Sequence, residues 1–338
     1  MKAALVGGGH AGLQYAQSLS RLRHVEVAGI CGMTDEGAVQ REGERPSPLL
    51  PAIPAFSTYE EMMEFTDPDL VCVCVPADRQ RDIVLKSIER GKHVVCEAPF
   101  GFDVAQLRQA VQAAEAKGVH LFAGVAERFA PHMQDIKSKL DKGAIGSAGV
   151  VHIQRSGPYP VGARQGGAGS AADRHGVLGQ WLIGDMFLLR WMLGEVNTVF
   201  ALNTQAPGVD YALVTLRFAS GAIANLAGYW GDEEGSRYRI ELAGNGGVVR
   251  YDSKNTASFE LKQRGDGTST NRTTSDSPSV RSPYDGQLAD VLRCIAAGAG
   301  TKPLVAAEDV AKVLELAEAA FQSAVTGEPV QLQGGAQQ

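Results

Sequence analysis

The first 124 residues alternate between short apolar runs and stretches with apolar residues at helical spacing. The runs predict five buried strands, at residues 2–6, 25–31, 70–75, 92–96 and 119–124. The stretches between them predict helices, with Ser57 and Asp103 as N-caps of two of them. Strands that are apolar on both faces are typical of parallel sheets covered by helices. The predicted fold class of this part is therefore α/β, a Rossmann-type doubly wound parallel sheet.

From about Ser147 the pattern changes to short strands in which apolar and polar residues alternate. They are predicted at residues 150–153, 199–202, 212–218, 222–226 and 239–242. Turns of hairpin type at 219–221 and 244–247 predict an open-faced, mostly antiparallel sheet. Helices at 176–193 and 306–325 flank it, and residues 157–173 and 264–282 are predicted loops.

The chain has 338 residues, which is too long for one compact core. The change of pattern predicts two domains. Residues 1–124 would form an α/β domain, and residues 125–338 an α+β domain.

A glycine-rich turn follows the first strand and opens a helix. Its sequence is Gly7-Gly8-Gly9-His10-Ala11-Gly12. In a G-x-G-x-x-G turn, the first two glycines let bare backbone approach a pyrophosphate, and the third lets the helix pack close to the strand. The helix N-terminus adds free N–H groups and a positive dipole end. We therefore predict that Gly7, Gly9, His10, Ala11 and Gly12 bind NAD or NADP.

The end of the second strand bears on the choice of cofactor. A Rossmann unit that prefers NAD usually carries an acidic residue there to hold the ribose hydroxyls. Here the position is Gly32, so no carboxylate repels a 2′-phosphate and NADP is favoured over NAD. Because ligands bind at the carboxyl ends of parallel strands, further cofactor contacts are predicted after the next two strands. They are Pro76, Asp78, Glu97 and Pro99.

Composition excludes several classes of partner. The net charge is −6 and the isoelectric point about 5.7, so neither nucleic acid nor an anionic membrane surface is an expected partner. The first strand begins at residue 2, so no signal peptide is expected and the predicted location is the cytoplasm. Five cysteines do not make a disulfide framework or a zinc site, and no metal is predicted.

Several segments in chain order resemble the Gfo/Idh/MocA family (glucose–fructose oxidoreductase and inositol dehydrogenase). They are Val6–Gly12, Ala55–Met62, Gly91–Phe100, Arg128–Pro131, Gly143–Gly146, Leu188–Gly194 and Ser323–Val330. The resemblance implies an NAD(P)-binding Rossmann domain at residues 1–124, followed at residues 125–338 by an open-faced sheet domain for substrate binding and oligomerisation. It also implies an NAD(P)-dependent oxidoreductase that acts on a small molecule and assembles as a homodimer or homotetramer.

The residues expected to handle protons depart from this resemblance. The family places a lysine in a Glu-Lys-Pro turn, and this chain has Ala98 there. The family's Asp and His, four residues apart on the active-site helix, correspond to Gln180 and Gly184, and a further family Asp corresponds to Phe187. None of these side chains titrates, whereas general acid–base assistance typically contributes a factor on the order of 10²–10⁴ in rate.

Two nearby residues are candidate replacements. His175, just before the helix, could act as acid or base, or be a solvated loop histidine. Asp185 could be a relocated proton carrier, or make a structural hydrogen bond. Thiolate chemistry at Cys31 or Cys96 would require a lowered pKa.

Three functions remain open from the sequence. The first is an oxidoreductase with an atypical site, reducing an imine, ketone or conjugated molecule rather than oxidising a sugar. The second is a catalytically degenerate regulator that binds a dinucleotide or another ligand. The third is a lyase or isomerase that reuses the fold without redox chemistry.

Overall fold

The structure is a computed structural model and describes residues 1–32, 53–98, 100–159, 175–232, 235–255, 259–263, 272–276, 282–298 and 300–332. It divides into two compact units. The first comprises Met1–Phe129 with Ser282–Ala311, and the second Ala130–Arg281 with Lys312–Gln338. The sequence predicts a single boundary after residue 124, whereas the contacts group the segment from Ser282 with the first unit.

The first unit contains a six-stranded sheet in which every pair of neighbours is parallel. Its strands are β1 (Lys2–Val6), β2 (Glu26–Cys31), β3 (Ala55–Phe56), β4 (Leu70–Val73), β5 (His93–Glu97) and β6 (Leu121–Gly124). Their order, β3-β2-β1-β4-β5-β6, is that of a Rossmann fold. The chain reverses direction of winding between β1 and β4, and a ligand-binding crevice is expected beyond the carboxyl ends of the strands at that point. The predicted parallel α/β sheet is confirmed.

The described residues between β1 and β6 form four helices. They are α1 (His10–Ser20), α2 (Tyr59–Thr66), α3 (Ala77–Glu89) and α4 (Val104–Ala116). Asp103 caps α4 as predicted, in a reciprocal capping box with Gln106. The predicted cap at Ser57 is wrong by one residue. Thr58 caps α2, and its hydroxyl accepts a hydrogen bond from the Glu61 amide.

The second unit contains α5 (Pro131–Asp141), which the sequence pattern did not predict, and a nine-stranded sheet. Its strands are β7 (Ala148–Gly157), β8 (Val196–Ala206), β9 (Val209–Phe218), β10 (Ile223–Trp230), β11 (Arg237–Gly244), β12 (Gly247–Asp252), β13 (Phe259–Gln263), β14 (Arg272–Asp276) and β15 (Val330–Gln331). The order is β14-β13-β12-β11-β7-β10-β9-β8-β15, and β7 and β10 pair in parallel while the other neighbours are antiparallel. The expected mostly antiparallel sheet is confirmed, although β14 lies within a predicted loop.

The helix predicted at 176–193 begins with a π-helical turn, Leu178–Leu182, and continues as α6 (Ile183–Leu193). Such turns widen the helix by one residue and are frequent at functional sites. The helix packs on the apolar face of the sheet, where Leu182, Met186 and Leu189 join the core.

A helix that was not predicted from the sequence, α7 (Pro283–Ala297), returns to the first unit. Its residues Leu288, Val291 and Cys294 join Tyr15 and Leu19 of α1 in one buried core. The last helix, α8 (Ala307–Thr326), matches the prediction within a residue. None of the helices in the described part of the chain has the length and apolar character needed to cross a bilayer.

Candidate functional site

The glycine turn after β1 is built so that only glycine fits at two positions. Gly7 has a φ of 103°, and a Cβ there would lie 2.6 Å from the Cys74 carbonyl oxygen. A Cβ at Gly12 would lie 2.3 Å from the Gly7 carbonyl oxygen. A Cβ at Gly9 would meet no heavy atom of the described residues within 4 Å. The turn is thus closely packed at Gly7 and Gly12 and open at Gly9, as a cradle for pyrophosphate requires.

The start of α1 has anion-binding character. Its N-cap, Gly9, supplies no side-chain hydrogen bond to the first turn, and His10 is exposed beside it. The amides of the first turn therefore remain available to a negative group, which the helix dipole also favours. Gly32, with a φ of 75°, lies against this turn, and a Cβ there would be 3.6 Å from the Gly7 nitrogen.

Gln80, buried on α3, holds the segment after β5. Its Nε2 donates to the Glu97 carbonyl oxygen at 2.8 Å, and its Oε1 accepts from the Gly101 amide at 2.8 Å. A second bond from Nε2, to the Val75 carbonyl at 3.2 Å, joins the end of β4 to the same segment. One side chain thereby fixes the two strand ends after which the sequence predicts cofactor contacts.

The predicted contacts at these two strand ends differ in their surroundings. Pro76 and Asp78 lie at the start of α3, where Pro76 is its N-cap and both are accessible to solvent. Glu97 ends β5 and is half-buried along its length, while Pro99 lies outside the described residues. Their roles in cofactor binding stay predictions.

The side chain of Glu97 enters a second network. Its Oε2 accepts a hydrogen bond from the Tyr15 hydroxyl at 2.8 Å, and that hydroxyl oxygen accepts one from Gln287 Nε2 at 2.8 Å. Burial raises the pKa of the Glu97 carboxyl well above its ordinary value, and the charge of Glu127 raises it further. The bond from Tyr15 opposes both effects. Burial and Glu97 also raise the pKa of Tyr15.

Asp185 is fully buried in the second unit. One of its oxygens lies 3.3 Å from a guanidinium nitrogen of Arg155, on β7. The Arg155 guanidinium lies over the ring of Tyr238 at 4.9 Å and over that of Trp181 at 5.8 Å. Burial and the Arg155 charge together lower the pKa of His132 to about 4. Because Asp185 is paired with a cation that aromatic rings hold in place, this contact of Asp185 is structural.

His175 lies at the start of the helix that also contains Asp185. Its ring stacks on Phe321 of α8, with 4.0 Å between centroids and 5° between planes. Its carbonyl oxygen accepts a hydrogen bond from the Leu178 amide. The helix start is also fixed by the buried Asp210, whose carboxylate accepts from the Val177 amide at 3.1 Å. The catalytic roles of His175 and Asp185 stay predictions.

Comparison with known proteins agrees with this geometry. Residues 1–125 match the family model described as oxidoreductase family, NAD-binding Rossmann fold, and residues 133–250 match the GFO/IDH/MocA C-terminal domain. The chain belongs to the Gfo/Idh/MocA family. It is accordingly an NAD(P)-dependent oxidoreductase by descent, and the resemblance drawn from its motifs is confirmed.

Individual relatives of this Gfo/Idh/MocA protein include dehydrogenases. It is 25% identical over 266 residues to the uncharacterized oxidoreductase YrbE of Bacillus subtilis, covering 76% of this chain and 75% of that protein. It is also 25% identical over 265 residues to the myo-inositol 2-dehydrogenase of Thermotoga maritima, covering 75% of each. Its fold is similar to that of levoglucosan dehydrogenase in complex with NADH and L-sorbose. The TM-score is 0.81 at 15% identity, with 98% of each chain covered.

The three positions at which the family resemblance predicts Lys, Asp and His differ in their surroundings. The Ala98 amide donates to the Gly124 carbonyl oxygen at 3.0 Å, which ties its backbone to β6. Gln180 is half-buried within the π-helical turn. A Cβ added at Gly184 would meet no described heavy atom within 4 Å, so this position of the helix can accept a larger side chain.

Thiolate and metal chemistry find little support in the site. Burial raises the pKa of Cys31 to about 11 and raises that of Cys96 strongly as well, so both are thiols at neutral pH. Within the described ranges no group of three or more His, Cys, Asp or Glu is placed to hold a metal ion.

Three residues that organise the cofactor edge were missed by sequence reasoning. Tyr15 and Gln80 lie on the buried faces of amphipathic helices, where their spacing indicates only packing. Gln287 lies on α7, 272 residues from its partner Tyr15. Gln80 and Gln287 could have been found in the sequence as glutamines on helix faces that are otherwise apolar, since a buried amide needs a hydrogen-bond partner.

Proposed function

We propose that this protein is an oxidoreductase that reduces an imine, ketone or conjugated small molecule with NADPH or NADH, and does not oxidise a sugar. The proposal rests on a contrast between the cofactor-binding turn and the positions expected to transfer protons. The glycine turn fits a dinucleotide, while Ala98, Gln180 and Gly184 occupy the positions where the family resemblance predicts a base and its partners. Oxidising an alcohol requires a group that takes the hydroxyl proton. Reduction of a C=N or C=C bond can take its proton from water or from a more distant group. Reduction of a ketone is the reverse of alcohol oxidation, so it needs such a proton source at the carbonyl oxygen and is the least favoured of the three reactions.

The residues present fit the cofactor. The amides from Gly9 to Gly12 would bind the pyrophosphate, because Gly7 and Gly12 leave no side chain between the backbone and the ligand. When bound, the nicotinamide supplies or accepts a hydride. Gln80 and Tyr15 hold Glu97 at the end of β5 without any ligand, which positions this part of the site for the cofactor. The methyl group of Ala98 holds no proton that it could transfer, and the reacting atoms therefore receive none from it.

A preference for NADP belongs to the same proposal. Gly32 follows β2 without a carboxylate, so a 2′-phosphate meets no negative side chain at that residue. A cytoplasmic location also belongs to it, because all five cysteines are free thiols, as a reducing compartment favours.

A homodimer or homotetramer is the last part of the proposal. Strands β8 and β9 of the second sheet expose Leu202, Val209 and Tyr211, and apolar side chains grouped on one sheet are typical of an interface. Light scattering coupled to size exclusion would measure the mass of the assembly. A monomer at micromolar concentration would refute this part alone.

The test of the function begins with fluorescence titration of the purified protein with NADPH and NADH. We expect micromolar binding, with NADPH tighter. Oxidation of the bound cofactor is then followed by its near-ultraviolet absorbance against panels of imines, ketones and enones. The same absorbance follows the reduction of NADP⁺ and NAD⁺ against a panel of sugars. Turnover with an imine, ketone or enone and none with sugars supports the proposal. Absence of binding by either nucleotide refutes it, and tight binding with no turnover favours the regulator.

A further inference from the structure

The segment that begins at Glu97 is linked to the pyrophosphate helix by a chain of buried side chains. Tyr15 belongs to α1, the helix whose first turn forms the anion site, and its hydroxyl donates to the Glu97 carboxyl at 2.8 Å. Tyr15 is fully buried. The bond therefore joins the helix of the cofactor cradle to the end of β5 through a buried tyrosine.

A third helix orients this link. Gln287 of α7 is buried and donates to the Tyr15 hydroxyl oxygen at 2.8 Å, which leaves the tyrosine proton to point at Glu97. Tyr284, one turn earlier, packs edge-on against the Tyr15 ring with centroids 4.9 Å apart. Gly124 closes the remaining side, because a Cβ there would lie 2.4 Å from Glu97 Oε2 and 2.9 Å from the Tyr15 hydroxyl. The geometry thus leaves Tyr15 a single orientation.

The ends of this link lie on different halves of a dinucleotide site. In a Rossmann fold the β1 turn holds the pyrophosphate and the end of β2 holds the adenosine ribose, so the nicotinamide lies on the other side of β1, towards β4 and β5. Tyr15 is on the pyrophosphate side, and Glu97 ends β5. The Tyr15 hydroxyl therefore adds a direct side-chain link between the two halves of the cradle, beside the strand pairing and the bonds of Gln80.

We propose that Tyr15, oriented by Gln287, is a positioning residue that sets the nicotinamide half of the site relative to the pyrophosphate half. The inference rests on the proposed dinucleotide binding. In this proposal Tyr15 and Gln287 contact neither the cofactor nor the substrate. They act through Glu97 and the backbone that follows it, whose Ala98 amide is bonded to β6. Loss of either side chain should weaken the binding of a ligand that fills both halves of the cradle more than the binding of a ligand that lacks the nicotinamide.

The experiment compares NADH with ADP-ribose, which carries the pyrophosphate and both riboses but no nicotinamide. Dissociation constants are measured calorimetrically for the full-length protein and its variants at a temperature where each is folded. Tyr15→Phe should raise the dissociation constant of NADH about tenfold, because the free protein no longer holds the nicotinamide half of the site in its binding position. It should change the ADP-ribose constant by less than about twofold. Gln287→Leu should raise the dissociation constant of NADH by a few-fold. It replaces Tyr15→Phe in the comparison if that variant does not fold.

A matched variant and a second readout separate positioning from general damage. Tyr59→Phe removes another buried tyrosine hydroxyl of the same unit, which contacts the Ser87 hydroxyl at 2.9 Å, and it should leave both constants unchanged. The fluorescence of bound NADH should change in Tyr15→Phe and not in Tyr59→Phe, because it reports the surroundings of the nicotinamide.

Several outcomes overturn the inference. Equal weakening of both ligands in Tyr15→Phe would show a general effect on the fold. No weakening at all, or the same loss of NADH affinity in Tyr59→Phe, would show that the link does not set the nicotinamide side. Failure of the wild type to bind NADPH as well as NADH would refute the proposed function itself, and would be visible before any variant is made.

Discussion

Replacing Glu97 by glutamine should make the protein increasingly stable, relative to the wild type, as the pH rises. Burial and the neighbouring charge of Glu127 raise the pKa of the Glu97 carboxyl well above its ordinary value of 4.5, although the hydrogen bond from Tyr15 opposes them. Between that value and the raised pKa, the native state holds a proton that the unfolded state has lost. Stability contributed by the protonated form is therefore complete at low pH and lost as the pH rises through the raised pKa. The amide of the variant does not titrate, so its stability lacks this dependence.

The size of the effect follows from one proton. The free energy of unfolding of the wild type should fall relative to that of Glu97→Gln by about 1.4 kcal/mol for each pH unit in this window. Urea unfolding of both proteins, in half-unit steps from about pH 4.5 to about pH 8, measures the difference directly, since other titrating groups cancel. Glu115→Gln, on the exposed face of α4, controls for the loss of one carboxylate.

The sign of that difference decides the outcome. A constant difference across the range would mean that Glu97 ionises at its ordinary pKa and that its burial is relieved by something other than protonation. A difference that shrinks as the pH rises would mean that the native state favours the carboxylate, and Tyr15 with Gln287 would then stabilise the charged form of Glu97.

Three further outcomes are expected. Gly12→Ala should weaken NADH binding more than about tenfold in a fluorescence titration. The added Cβ would lie 2.3 Å from the Gly7 carbonyl oxygen, which cannot yield without moving the turn. Unchanged affinity would contradict the close packing of the cradle. Asp185→Asn should lower the free energy of unfolding by about 3 kcal/mol, since it removes the buried carboxylate paired with Arg155, whereas Asp141→Asn, in an exposed helical ion pair, should cost under about 0.5 kcal/mol. The double variant Ala98→Lys with Gly184→His should not gain sugar dehydrogenase activity in an NAD(P)H-coupled assay, and robust activity would show that the substrate pocket is otherwise intact.

Local patterns predicted the first unit well because its chemistry is local. The turn from Gly7 to Gly12 is contiguous, and its role depends on the absence of side chains, which the sequence displays directly. Asp103 caps the helix that starts one residue later. The end of β2 at Gly32 was located from a single apolar run. In each case the residues that determine the structure are separated by a few positions.

Residues that act across the fold were not recognisable in the same way. Gln80 is one polar residue on an amphipathic helix, and only the folded chain shows that its amide fixes the ends of β4 and β5. The helix at Pro283–Ala297 was missed altogether. Its mixed composition indicates no partner, and its packing against α1 depends on pairs such as Gln287 and Tyr15, which are 272 residues apart. The π-helical turn at Leu178–Leu182 has no sequence signal that period counting can detect.

This contrast bears on where catalysis should be sought. The sequence makes Asp185 a candidate proton carrier because it follows the position of a lost histidine. The structure pairs it with Arg155, whose guanidinium lies over two aromatic rings. A buried carboxylate paired with a cation is destabilising to lose, because removal of one partner leaves the other charge uncompensated in the interior. Asp185 therefore has a structural reason to be present at this position, and its role as a proton carrier stays a prediction. The search for the proton donor should include groups outside the active-site helix and water that reaches the site.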